Sequence, residues 1–77
     1  MPATLADLAP GQRGVVTGYA QDDGFTQRLM QLGIIEGTDV EVLRCAPTGD
    51  PIEVRVMGYA LSLRRIEAAV VHVDPLS

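Results

Sequence analysis

The stretch FTQRLMQLGIIEG, residues 25–37, decides how the rest of this chain folds. Phe25, Leu29 and Leu32 recur at i, i+4 and i+7, the spacing of one stripe along a helix. Asp22 or Asp23 is placed to cap the start, where free backbone N–H groups need an acceptor. Gly33 falls where a left-handed residue ends a helix without a Cβ clash. Ile34 then occupies the position that packs back on Leu29. The reading predicts a helix over about 24–32, a hard stop, and a turn at Glu36-Gly37 into strands.

Upstream, Thr4 and Asp7 fit a capping box in which Asp replaces the usual Glu. One helical turn is expected over 4–9, with Leu5 and Leu8 inward and Pro10-Gly11 as the stop. Residues 12–19 read as a strand. Gly14 and Gly18 share a face of it, which predicts close approach by another backbone or a bend. Downstream, residues 39–46 alternate until Leu43, where the pattern slips and a bulge is expected. Residues 47–51, PTGDP, are the strongest turn signal in the chain. Residues 52–57 alternate cleanly, with Met57 outward. Leu61 and Leu63 point inward in a fourth strand. Residues 64–69 suit a single 3₁₀ turn, and 70–73 close the chain before Asp74-Pro75. The expectation is a mainly β fold: a small bent barrel of about five strands, one short helix, and a helical turn near the N-terminus.

Seventy-seven residues suit one domain, 1–77. A chain of this size buries only ~60% of the surface its unfolded form exposes, so a groove or flat face is easier to build than a deep pocket. The net charge is −4, and the positive side chains are six in number, all of them Arg. That balance argues against nucleic acid and against an anionic membrane surface. A lone cysteine, Cys45, cannot form an internal disulfide, which suits a reducing compartment. No secretory leader is expected from the first ten residues, and no apolar run is long enough to span a membrane. The chain reads as cytoplasmic, without direct membrane insertion.

Catalysis finds no support in the residue set. One His and one Cys make no nucleophilic triad, and the glycines fit neither a dinucleotide nor a P-loop spacing. The expectation is a protein that is not an enzyme and holds no cofactor. One His with one Cys cannot close a zinc site within one chain, which leaves His72 as a weak metal candidate. A surface for a partner is the remaining class. Met30 lies roughly 140° around the helix from Phe25 at ~100° per residue. Met30, Ile35 and Met57 are adaptable apolar side chains that the pattern does not place in the core.

The run RLMQLG at 28–33, APTGDPI at 46–52, LSLRR with EA after it, and the lead-in LADLAPGQ at 5–12 together resemble the FeoA family. The resemblance covers nearly the whole chain. Glu36 departs from it, because the family often carries Pro before the turn glycine. The resemblance implies an SH3-like barrel, no catalysis, and an accessory role in bacterial ferrous iron uptake. It implies contact with the FeoB transporter, through its cytosolic GTPase domain or its membrane part, with a peripheral place at the inner membrane. The expected partner-binding residues are Leu29, Met30, Ile34, Ile35 and Met57. The competing expectation is a metal-responsive regulatory domain of SH3-like fold that binds a transition metal ion directly.

Overall fold

A computed structural model describes residues 3–21 and 24–76, except for the side chain of Phe25. Six antiparallel strands form one curled sheet: β1 (Ala3–Thr4), β2 (Arg13–Tyr19), β3 (Asp39–Cys45), β4 (Ile52–Val56), β5 (Tyr59–Leu63) and β6 (Val71–Leu76). Their order is β1-β6-β2-β3-β4-β5. A 3₁₀ turn at Leu5–Asp7 follows β1, helix α1 spans Gly24–Gln31, and the one-turn helix α2 spans Arg65–Ala68. The fold is mainly β, as expected, with one strand more than the sequence announced.

The extra strand is β1, which pairs Ala3 with Val73 and Thr4 with His72. It is too short to show a period of two. The capping box beside it does form: the Thr4 backbone N–H donates to Asp7 Oδ2 at 2.8 Å. β6 runs through Pro75, opposite Gly14, to Leu76, where the sequence suggested a stop at Asp74-Pro75. The expected 3₁₀ turn at 64–69 is instead one turn of α-helix, with Glu67 Oε1 accepting the Arg64 N–H at 2.7 Å.

Alternation sets the core. Val40, Val42, Ile52, Val54, Val56 and Leu63 are buried with Val16, Val71 and Val73, while Arg55 and Arg44 face water. Leu5, Leu8 and Leu29 complete the core from outside the sheet. The expected bulge is present: the β3–β4 register shifts between Val42 and Arg44. A second shift between Val16 and Gly18 bends β2 against β6. At Gly14 an added Cβ would lie 3.2 Å from Val73 Cβ and 3.3 Å from Leu8 Cδ1. The close approach expected at that glycine is therefore a contact with β6, Asp74 O included at 3.4 Å, and with Leu8 just after the 3₁₀ turn.

Candidate functional site

Helix α1 ends in a Schellman motif. Gly33 has φ +100°, its N–H donates to Met30 O at 3.0 Å, and the Ile34 N–H reaches back to Leu29 O at 3.2 Å. Leu29 and Ile34 are both fully buried, as the motif's hydrophobic contact requires. This corrects the expectation that they touch a partner. They hold the surface in place from beneath and have no exposed area to offer. The caps expected at Asp22 and Asp23 lie outside the described residues.

Two tyrosines fasten the chain around this terminus. The Tyr19 hydroxyl donates to Ile34 O, and the Tyr59 hydroxyl donates to Leu32 O. The Leu32 acceptor is a carbonyl that the end of a helix leaves without an internal donor, while Ile34 O lies just past the helix, after Gly33. Burial raises the Tyr19 pKa above its ordinary 10.0, which keeps that donor protonated. On the far side of α1, Arg28 pairs with the buried carboxylate of Glu67 in α2.

Met57 is not a strand residue. With Gly58 it forms the two-residue turn between β4 and β5, at φ +52° and +85°. Positive φ at both positions is the type I′ hairpin geometry, where Asn-Gly is the favoured pair. Met57 is the described non-glycine residue at positive φ, a conformation that disfavours an L side chain by roughly 1–2 kcal/mol. Its side chain folds over Gly33, with Sδ 3.0 Å from where a Cβ would stand, and Tyr59 Oη lies 3.3 Å from the same point.

The result is an apolar surface centred on Gly33. Met57 (67% exposed) and Tyr59 (46%) cover that glycine, while Met30 (38%) and Ile35 (46%) flank it in the chain. The sequence offered Met30, Ile35 and Met57 separately; the hairpin folds Met57 over Gly33, which lies between Met30 and Ile35 in the chain. Tyr59 was missed, because with Gly58 it reads as a tight link, whereas it is the first residue of β5. Ile66, the other large exposed apolar residue among those described, lies apart on α2.

Beside Met57 a shallow cavity of about 180 Å³ is lined by Arg13, Asp39, Glu41 and Arg55. Arg55 pairs with Glu41 at 3.3 Å, so this rim carries both signs of charge. Among the described residues no three His, Cys, Asp or Glu side chains converge as metal ligands would. His72 is half-buried in β6, between Thr4 of β1 and Gly18 of β2. Cys45 is half-buried opposite Ile52. No described helix is long and apolar enough to cross a membrane.

The FeoA domain model matches residues 3–75. An Fe(2+) transport protein A/Fe(2+) transporter FeoB fusion protein of Porphyromonas gingivalis is 34% identical over 73 residues, or 95% of this chain. The chain spans 9% of that protein's own length. The solution structure of FeoA from Chlorobium tepidum superposes with a TM-score of 0.88 at 43% identity, covering 97% of this chain and 71% of that one. The zinc complex of Stenotrophomonas maltophilia FeoA superposes at 0.83 with 32% identity, covering 94% and 89%. That protein is described as a prokaryotic SH3 domain protein and a candidate ferrous iron transport activating factor. The chain belongs to the FeoA family of small, SH3-like accessory domains associated with ferrous iron transport.

Proposed function

We propose that this domain acts without catalysis in bacterial ferrous iron uptake, by docking its Gly33-centred apolar surface on FeoB. The observation that carries the reading is Met57. A turn position that favours Asn holds an exposed methionine at positive φ, over the end of the one long helix. Backbone strain retained at an exposed site marks a residue kept for something other than stability. Tyr59 lies with Met57 over Gly33, Met30 and Ile35 are exposed on either side of that glycine in the chain, and methionine side chains adapt readily to a partner's shape. The Porphyromonas gingivalis fusion supports FeoB as the partner, since a module joined to a transporter meets it at high effective concentration.

The test is titration of the domain against membranes containing full-length FeoB. Met30→Asp leaves Leu29 and Ile34 in place and is expected to retain the fold within about 1 kcal/mol, the scale of a helix-terminus charge effect. It is expected to weaken binding tenfold or more. Unchanged affinity in that variant removes the helix from the interface. Absence of binding by the wild type, with normal iron uptake in a deletion strain, ends the reading.

A further inference from the structure

The described residues hold three sulfur atoms, in Met30, Cys45 and Met57. Their surroundings differ. Cys45 is half-buried in β3. Met30 is 38% exposed on α1, whereas Met57 is 67% exposed at the β4–β5 turn, more than any other large apolar residue described. The Met57 side chain lies across Gly33, with Cγ 3.7 Å and Sδ 3.0 Å from the point a Cβ would occupy. The glycine backbone closes the inner side of the thioether. The side left to solvent is the one a docked partner would cover. Met57 takes no part in the core or in the shell of half-buried residues packed on it.

We propose that Met57 is a site of oxidation by hydroperoxides and that, granted the docking on FeoB proposed above, its sulfoxide releases the domain. A lone pair of the thioether attacks the terminal oxygen of the peroxide. The S–O bond forms, the O–O bond breaks, and the hydroxyl proton passes to the leaving oxygen. Sulfur gives up two electrons, and the peroxide is reduced to water or to its alcohol. A dithiol reverses the step through a methionine sulfoxide reductase, with a disulfide and water as products. The product oxygen is a strong hydrogen-bond acceptor, and the donors around Gly33 are already committed. The Tyr59 hydroxyl gives its one hydrogen to Leu32 O, the Gly33 N–H goes to Met30 O, and the Ile34 N–H goes to Leu29 O. In the free domain, water satisfies the sulfoxide. Under an apolar partner surface nothing does, and an acceptor buried without a donor weakens binding. Release in the presence of peroxide would also limit the meeting of peroxide with ferrous iron, which yields radicals.

Trypsin cuts after Arg28, Arg44, Arg55 and Arg64, so Met30, Cys45 and Met57 fall in separate peptides, 29–44, 45–55 and 56–64. The full chain is treated with hydrogen peroxide, digested, and followed by mass. Peptide 56–64 is expected to gain one oxygen about threefold faster than peptide 29–44, with the circular dichroism spectrum of the domain unchanged. Equal or faster oxidation of 29–44 overturns the assignment of the site. Titration against FeoB membranes then uses a Cys45→Ser background, which removes thiol oxidation from the result. Oxidation is expected to weaken binding about tenfold or more, and the reductase to restore it. Met57→Leu, compared with its own untreated sample, is expected to show no loss on treatment. An oxidised domain that binds as the untreated one does, or a Met57→Leu variant that loses as much on treatment, overturns the release while leaving the docking intact. Absence of binding by the untreated domain overturns both.

Discussion

Replacing Gly33 with alanine probes the junction on which both the fold and the proposed surface depend. An alanine at φ +100° carries left-handed strain of about 1–2 kcal/mol. Its Cβ would stand 3.0 Å from Met57 Sδ and 3.3 Å from Tyr59 Oη. The thioether is the far end of a flexible side chain and swings aside at little cost. The hydroxyl is held by Leu32 O, and moving it forfeits part of a hydrogen bond whose net value is about 1 kcal/mol. Together these give a loss of about 2 kcal/mol, set against roughly 4–12 kcal/mol for a domain of this length. At roughly 4–8 °C per kcal/mol, the melting temperature is expected to fall by about 8–16 °C. Gly37→Ala is the matched control. Gly37 has φ +91°, and nothing lies within 4 Å of its added Cβ. It isolates the backbone strain, so the difference between the variants measures the Met57–Tyr59 contact. Thermal and urea denaturation of both variants supply the numbers. A Gly33→Ala loss no larger than that of Gly37→Ala would refute the packing argument.

Three further outcomes follow from the same geometry. Met57→Asn is expected to stabilise the domain by roughly 0.5–1 kcal/mol, because Asn tolerates positive φ, while weakening binding to FeoB membranes; a variant that loses stability contradicts the strain assignment. Tyr19→Phe is expected to cost about 1 kcal/mol near neutral pH through loss of the bond to Ile34 O. Because burial raises the folded pKa of Tyr19, its contribution is fully present below about pH 10 and is lost as pH climbs through the folded value. Alkaline unfolding followed by circular dichroism should therefore be shallower in Tyr19→Phe than in the wild type. Glu67→Ala removes the acceptor for the Arg64 N–H and the partner of Arg28, and is expected to cost about 1–2 kcal/mol, whereas Glu67→Gln keeps the first bond and should lose less. Equal losses in those two variants would assign the whole effect to the Arg28 pair.

The helix stop was the most legible feature of the sequence, because glycine at the C′ position and an apolar residue after it leave few alternatives. Gly33 and Ile34 form the motif their spacing announces. The β3 bulge was equally readable, since a slip in period has one structural meaning. The site was legible only in pieces. A period of two continues through Met57, so its turn conformation is hidden, and with it the fold-back that joins the residue to Gly33. Leu29 and Ile34 were assigned two roles that exclude each other, and the motif keeps them inside. Tyr59 was obscured because Gly58-Tyr59 reads as a link, whereas Tyr59 opens β5 and its hydroxyl reaches Leu32 O. β1 escaped notice because two residues carry no period.

The central claim is that this small barrel acts through its Met30–Ile35–Met57–Tyr59 surface on FeoB. Site-specific photo-cross-linking in cells expressing FeoB tests it most directly, with the probe placed at Met57 and, as a control, at the exposed Thr17 of β2. The account predicts a FeoB adduct from position 57 and none from position 17. Adducts from position 17 with none from position 57 would contradict it.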